Sequence, residues 1–208
     1  MHKLAKKLFT AQEYLELEES ADYKSEYFKG EIFAMASASI NHNQIAGNLF
    51  SQLHQQQKKH GCRITVSDLK LWIEEIDFFA YPDLMITCDK LQFFPGRTDI
   101  ILNPLVIIEI LSRSTEAYDR GKKFQFYRSI PSFQEYILID QYRVHIDQFY
   151  IENTGKWTLR DYNDINDMLQ FSRIDFEIPL EKVYELVDFE LEESETTKRQ
   201  EQQAANSK

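Results

Sequence analysis

Apolar residues recur with two different periods along this chain, and each period predicts one type of element. Residues 41–59 carry Leu or Ile at every fourth position among Gln, Asn and His, which predicts an amphipathic helix packed on a sheet and ended by Gly61. A shorter helix is expected from Thr10 to about Glu19, because Thr10 and Glu13 have the spacing of a capping box.

Alternating or continuous apolar stretches predict strands. In chain order they are a hairpin over 23–35 turning at Gly30, then 62–73, 81–87, 105–111, 135–140, and a second hairpin of 144–150 with 156–162. Residues 105–111 are apolar at all positions but one, which is typical of a central strand covered on both faces. A helix over 116–129 should follow it, with Pro131 just beyond its end. This order predicts an α/β fold, a mixed central sheet flanked by helices.

Length and charge define the domain organisation. At 208 residues the chain is expected to form a single domain over residues 1–190, followed by an acidic, polar, disordered tail over 191–208. The net charge is −10, of which −6 lies from residue 175 onward. This balance argues against a protein that coats nucleic acid through a broad basic surface, so a polyanion would have to be met locally or with metal ions.

The cysteine spacing and the first residues of the chain indicate in which cellular compartment the protein is expected. Cys62 and Cys88 stand 26 positions apart without a CxxC pair, so we expect neither a disulfide framework nor a zinc knuckle, and a reducing compartment fits best. The five histidines show no metal-ligand spacing either. Neither a signal peptide nor a membrane span is evident, which predicts a soluble, cytoplasmic protein without a membrane partner.

Two acidic residues stand out within apolar strands. Glu109 is the sole charge among the Leu, Val and Ile residues of 105–111, and an isolated buried carboxylate costs several kcal/mol unless a partner or metal compensates it. Asp83 precedes the apolar run 84–86 in the same way. Two hard oxygen donors on neighbouring strands suit Mg²⁺. The alternatives are a Glu109 that pairs with a buried arginine and an Asp83 that belongs to a simple turn.

A lysine on the next helix completes the pattern. The chain travels about three strand residues, roughly 10 Å, from Glu109 to Ser112, and Lys123 lies about seven helical residues back, again roughly 10 Å. Both groups can therefore reach one depth beside the sheet, although a solvated helix lysine is the alternative. Five basic residues fall between Arg113 and Arg128, and they would either meet a phosphodiester backbone or form an ordinary charged helix face.

These residues resemble the PD-(D/E)XK nuclease superfamily, with its restriction-endonuclease-like core, and more closely the Uma family of bacterial endonucleases, formerly a domain of unknown function. The matching stretches span about residues 10–188. They are residues 10–15, Lys29-Gly30-Glu31, His42, Tyr81-Pro82-Asp83, Ile108-Glu109-Ile110-Leu111-Ser112, 114–115, Asp119-Arg120-Gly121-Lys122-Lys123, Tyr127, Glu135-Tyr136 and Asp140. The resemblance implies that Asp83 and Glu109 are the acidic metal ligands. Leu111 departs from the pattern, because a strict E-x-K requires lysine there, and Lys123 on the following helix is the match.

The predicted reaction is Mg²⁺-dependent hydrolysis of DNA phosphodiesters, with Mn²⁺ as an alternative ion. Asp83, Glu109 and the Ile110 carbonyl would hold the metal, and Lys123 would orient the attacking water. Second-tier candidates for metal, water or phosphate contacts are Glu31, His42 and Ser112. A homodimer is plausible because cutting two strands benefits from two sites.

Two other functions fit the same sequence less directly. A catalytically inactive nuclease-fold module that binds nucleic acid or protein would share the core and lack metal affinity. A glycosidase-type carboxylate pair is less favoured, because that chemistry has no use for Lys123 and a basic helix.

Overall fold

The structure is a computed structural model that describes residues 7–191, apart from the side chains of Lys58 and Lys59. Its helices are α1 (Ala11–Glu19), α2 (Ile40–His60), α3 (Glu116–Tyr118), α4 (Phe124–Tyr127) and α5 (Leu180–Val183), with a 3-10 turn at Glu74–Ile76 and a π-helical turn at Asp119–Lys123. Its strands are β1 (Ser25–Phe28), β2 (Glu31–Ala34), β3 (Arg63–Val66), β4 (Lys70–Ile73), β5 (Phe78–Ala80), β6 (Leu84–Thr87), β7 (Ile100–Ile101), β8 (Val106–Leu111), β9 (Glu135–Asp140), β10 (Ile146–Ile151), β11 (Trp157–Tyr162), β12 (Met168–Gln170) and β13 (Glu177–Pro179).

The strands form two main sheets and a small one. The larger sheet has the order β11-β10-β9-β8-β6-β3, the second has β2-β1-β5-β4-β7, and β12 pairs with β13. In the larger sheet β8 and β9 run parallel while the other neighbours are antiparallel, so the sheet is mixed. The predicted α/β class, with mixed sheet and flanking helices, is confirmed. The second sheet is an addition, since the sequence pattern indicated a single central one.

The central strand and both hairpins lie where the pattern predicts them. All six residues of β8 are buried between β9 and β6. The first hairpin turns at Lys29 and Gly30, both with positive φ, as such tight turns require. The second hairpin, β10 with β11, extends the larger sheet. The capping box of α1 is also present, with Thr10 and Glu13 bonded reciprocally.

The two faces of the larger sheet pack on different elements, which decides where the site lies. On one face Ile45, Leu49 and Leu53 of α2 are fully buried against the sheet, each contributing about 2 kcal/mol of apolar transfer. The opposite face buries Ile107 and Leu111 together with Tyr127 of α4 and part of the second sheet. Glu109 projects toward this second face, because side chains two apart on a strand share a face.

Residues 62–73 were expected to form one strand, and this prediction is wrong. The segment makes β3 in the larger sheet and β4 in the second sheet. Ser67 between them has φ 34°, and its amide donates to the Asp83 carbonyl at 2.9 Å. The sequence carries a trace of the break, because the apolar alternation shifts phase between Val66 and Leu69.

The absence of a disulfide, expected from the cysteine spacing, is also contradicted. Cys62 and Cys88 form a disulfide. The physical reason is register: β3 and β6 pair antiparallel with Arg63 opposite Thr87, so the next pair outward is Cys62 with Cys88. Strand pairing brings together two cysteines that no local motif connects.

Two further predictions can be compared with the structure: the helix over 116–129 and the tail over 191–208. The helix predicted over 116–129 ends at Tyr127 and contains the π-helical turn. Residues 192–208, most of the predicted tail, lie outside the described residues. Between residues 7 and 191, none of the helices has the length and apolar content needed to cross a bilayer.

Candidate active site

Strand pairing brings Asp83 and Glu109 together. The β6–β8 register sets Leu84 opposite Ile108, and extending it by one residue sets Asp83 opposite Glu109. The Asp83 amide donates to Glu109 Oε2 at 3.3 Å, and the Ile110 amide donates to Asp83 Oδ2 at 2.8 Å. The two acids therefore lie side by side just before the N-terminal end of β6, where its pairing with β8 begins.

Lys123 reaches the same place from the helical segment. Its Nζ lies 3.0 Å from Glu109 Oε1 and donates a hydrogen bond to it. The Lys123 side chain is 7% exposed and that of Glu109 is 5% exposed, so this contact is screened from solvent. The three groups that the sequence predicted to converge do so in the structure.

Two further carboxylates, which the sequence analysis did not assign, surround the same lysine. Glu26 Oε1 of β1 lies 3.0 Å from Lys123 Nζ, and Asp119 Oδ1 of the π-helical turn lies 3.3 Å from it. Both side chains are buried. Asp119 could have been found from its i, i+4 spacing to Lys123. Glu26 carries no comparable local signal, because it belongs to the second sheet.

Tyr127 and His42 orient the two strand acids. The Tyr127 hydroxyl donates to Glu109 Oε1 at 2.7 Å, and His42 Nε2 lies 3.1 Å from Asp83 Oδ2. His42 stands in the first turn of α2, and its amide donates to the Ser39 hydroxyl that caps this helix. His42, a second-tier prediction, is thus placed against Asp83.

The other second-tier residues lie in different surroundings. The Ser112 hydroxyl is bonded within the β8–α3 loop, to Thr115 Oγ1 at 2.9 Å and to Ser114 Oγ at 3.1 Å. Glu31 lies beside the hairpin turn, opposite Phe28 on β1. The hairpin acid that reaches Lys123 is Glu26.

Burial and like charge dominate the electrostatics. Burial raises the pKa of the Glu109 carboxyl; Lys123 opposes this rise, while Asp83 and Asp119 add to it. Burial alone would lower the pKa of Lys123, but the surrounding acids outweigh it and raise that pKa well above its ordinary value. For His42, burial is likewise outweighed by its hydrogen bond with Asp83, so the His42 pKa is raised. The cluster holds more acids than bases.

The donor set fits a hard divalent cation. Asp83 and Glu109 supply carboxylate oxygens, which are the ligands that Mg²⁺ and Mn²⁺ prefer. Asp119 Oδ1 is buried and pairs with Lys123 at 3.3 Å, but it accepts no hydrogen bond from the residues described. Within residues 7–191, no group of three or more His, Cys, Asp or Glu side chains is arranged as a ready metal site.

The basic residues between Arg113 and Arg128 divide among several environments. Lys123 points into the acid cluster, whereas Arg120 pairs with Glu116 at 2.8 Å and with Asp147. Arg113 is exposed and lies 4.8 Å from the Tyr142 ring centroid. The segment is therefore neither one basic stripe nor an ordinary solvated face.

The fold is that of a nuclease-like α/β protein. It matches a solved structure titled "Crystal structure of a putative nuclease belonging to DUF820" from Anabaena variabilis, with a TM-score of 0.69 and 17% sequence identity. The match covers 85% of this chain and 97% of that one.

The family follows from the sequence comparisons. A family model described as "Uma2: Putative restriction endonuclease" matches residues 11–181, and the chain belongs to this family. Two Synechocystis proteins, described as uncharacterized protein sll1609 and uncharacterized protein slr1290, are similar to it. The first is 39% identical over 80% of this chain and 94% of its own length, and the second is 35% identical over 83% and 90%.

Proposed function

We propose that this protein is a metal-dependent endonuclease that hydrolyses DNA phosphodiester bonds. The observation that carries the proposal is the junction of Asp83, Glu109 and Lys123, in which two strand acids are linked by main-chain hydrogen bonds and a buried lysine contacts one of them. Membership in the Uma2 family and the nuclease-like fold support the same reaction class.

Asp83, Glu109 and the Ile110 carbonyl would hold Mg²⁺ or Mn²⁺. The Ile110 amide points toward Asp83, and the N–H and C=O of one strand residue face the same neighbour, so the carbonyl faces that side too. When bound, the ion would lower the pKa of a water and neutralise charge on the phosphate. The Tyr127 hydroxyl and His42 fix the orientation of the two acids.

Lys123 would act on the substrate rather than on the ion. A buried ammonium can stabilise the negative charge that develops on the phosphate, an interaction that is strong where water is excluded. Lys123 comes from the helical segment, whereas a strict E-x-K motif would place the lysine on β8, where this chain has Leu111. Direct roles for Ser112 and Glu31 stay predictions.

The substrate would be held by residues outside the acid cluster, since the cluster itself is anionic. Arg113 is exposed three residues after Ile110, and its main-chain amide donates to the Tyr142 hydroxyl at 3.2 Å while its guanidinium lies over the Tyr142 ring. This arrangement is suited to contact a phosphate beside the one being cut. We further propose a cytoplasmic protein, because the proposed substrate is DNA, although the Cys62–Cys88 disulfide is unusual for a reducing compartment. We also propose a homodimer, because cutting two strands benefits from two sites.

The test compares the purified wild type with Asp83→Ala and Lys123→Ala on supercoiled and linear DNA, with Mg²⁺, Mn²⁺ or chelator. We expect metal-dependent cutting by the wild type alone. RNA of matched sequence serves as the competing substrate, and light scattering reports the oligomeric state.

The outcomes separate the candidate functions. Equal cutting by all three proteins would identify a contaminating nuclease. DNA binding without cutting, together with no Mn²⁺ binding by calorimetry, would contradict the enzyme and favour the inactive binding module.

A further inference from the structure

We propose that Glu26 is a positioning residue for Lys123, holding the lysine in the site from the second sheet. The proposal rests on the proposed function, because it assigns Glu26 a part in the same site. Glu26 lies on β1, and its Oε1 contacts Lys123 Nζ at 3.0 Å, the distance at which Glu109 also contacts it.

The contact joins three parts of the fold that pack against one another. Glu26 belongs to the five-stranded sheet, Glu109 to the six-stranded sheet, and Lys123 to the helical segment between them. Asp119 Oδ1, 3.3 Å from Nζ, completes a cradle of three carboxylates around one ammonium. We call Glu26, Asp119 and Glu109 the lysine cradle.

The cradle meets a need created by the position of Lys123. A lysine on the strand two residues after Glu109 would be held by the sheet itself, but Leu111 occupies that position and is buried. A lysine that reaches in from a helix has four flexible carbons and loses side-chain entropy on being ordered. Several fixed acceptors can offset this loss and hold its ammonium in one place.

Glu26 and Glu109 both contact Lys123, but their other hydrogen-bond partners differ. Glu109 also accepts from Tyr127 and from the Asp83 amide, so its oxygens are shared among several groups beside Asp83. Glu26 approaches Lys123 from β1, and it also forms a hydrogen bond with the Tyr118 hydroxyl. Glu26 can thus keep Lys123 in place without itself contacting the Asp83–Glu109 pair.

A double-mutant cycle tests this role in the metal-free protein. The four proteins are wild type, Glu26→Gln, Lys123→Met and the double variant, with Glu75→Gln, an exposed acid of the 3-10 turn, as the control. Lys123→Met is expected to lower the melting temperature by about 6 °C or more, because it leaves buried acids without their counter-ion. Glu26→Gln should lower it in the wild type, yet leave it unchanged or raised in the Lys123→Met background.

A second measurement separates positioning from simple support of the fold. Glu26→Gln should keep Mn²⁺ affinity within about twofold, because both strand acids are intact, but lower the cleavage rate by about tenfold or more, in the direction of Lys123→Met. Adding Glu26→Gln to Lys123→Met should cost no further cleavage. If Lys123→Met does not fold, Lys123→Gln replaces it throughout.

Three results would overturn the inference. They are additive melting shifts in the cycle, an unchanged cleavage rate in Glu26→Gln, and equal loss in the Glu75→Gln control. A wild type that cuts no DNA would instead contradict the proposed function, and the melting cycle would still decide whether Glu26 holds Lys123.

Discussion

Two neighbouring strands of the larger sheet each bury one glutamate, and the two residues have opposite surroundings. Glu109 lies on β8 and Glu135 on β9, which pair in parallel. Both are almost fully buried, at 3% and 0% exposed. They face opposite sides of the sheet, since Glu109 contacts Tyr127 while Ile137, two residues after Glu135, packs on the α2 side.

The hydrogen bonds to Glu135 come from main-chain and side-chain amides. Its carboxylate accepts from the amides of Ser172 and Arg173 at 3.0 to 3.2 Å, and from the side-chain amide of Gln148. Burial raises its pKa, and these hydrogen bonds act against the rise. Nothing in this arrangement requires a further ligand, so we interpret Glu135 as a structural residue.

Glu109 lies among other acids instead. Asp83 is hydrogen-bonded to it and its neighbour, while Glu26 and Asp119 share Lys123 with it. Concentrating like charge in a buried place costs free energy and must be offset by a partner. Burial of a carboxylate therefore does not by itself indicate a functional site, whereas an excess of buried acid does.

The largest expected difference between the two glutamates is in catalysis. Glu109→Gln should lower metal-dependent cleavage by about 100-fold or more, because it removes charge that acts in the transition state. Glu135→Gln should cleave at nearly the wild-type rate. Plasmid nicking under single-turnover conditions measures both, and equal losses in the two variants would break the distinction.

The second largest expected difference is in the stabilisation that bound Mn²⁺ gives to variants at the two sites. At a Mn²⁺ concentration 100 times its dissociation constant, the wild type and Glu135→Gln should each gain about 2.7 kcal/mol of stability, by mass action. Asp83→Ala should gain little at the same concentration. Denaturant unfolding with and without Mn²⁺ gives the values, with Ca²⁺ as the comparison ion; a full gain in Asp83→Ala would place the ion elsewhere.

In the metal-free protein, Glu135→Gln should be the more damaging of the two glutamate variants, as measured by the free energy of unfolding. Glu135→Gln is expected to cost about 1–3 kcal/mol of unfolding free energy, because an amide NH₂ would then face the donors of Ser172 or Gln148. Glu109→Gln should cost less, since it also relieves repulsion among the acids. Urea unfolding decides this, and a larger loss in Glu109→Gln would show that its ion pair outweighs the repulsion.

The smallest expected effect is that of Arg113, a cationic residue outside the acid cluster, on the salt dependence of DNA binding. Arg113→Ala should reduce the slope of log K against log salt for DNA binding by about 1, as loss of one phosphate contact does. Arg63→Ala is the matched control, because Arg63 is exposed on β3 opposite Thr87, at the end of β6 away from Asp83. Identical slopes for the two variants would exclude a specific role for Arg113.

Much of the fold could be predicted because its signals are local. The run 105–111 indicated a buried central strand, the Gly30 turn indicated a hairpin, and the four-residue spacing in 41–59 indicated α2. The error over 62–73 arose because a local pattern was extended across a turn. The strand over 62–73 missed the turn at Ser67, and an apolar alternation reports the period of a strand without reporting which sheet it joins.

The candidate site could be predicted in part. Asp83 and Glu109 stand out as charges within or beside apolar strands, and Lys123 follows from the lengths of a strand and a helix measured from one turn. Glu26 and the disulfide partners could not be found this way. Each depends on pairing or packing between segments that are distant along the chain.

Periodicity and turn chemistry act over a few residues, so the sequence was sufficient to predict α1, α2, the two hairpins and a buried acid on the central strand. The structure was needed to see that Glu26 contacts Lys123, and that Glu135 is satisfied while Glu109 shares its lysine with two other acids. The reason is that contacts between distant segments depend on register and sheet packing, which many residues set jointly.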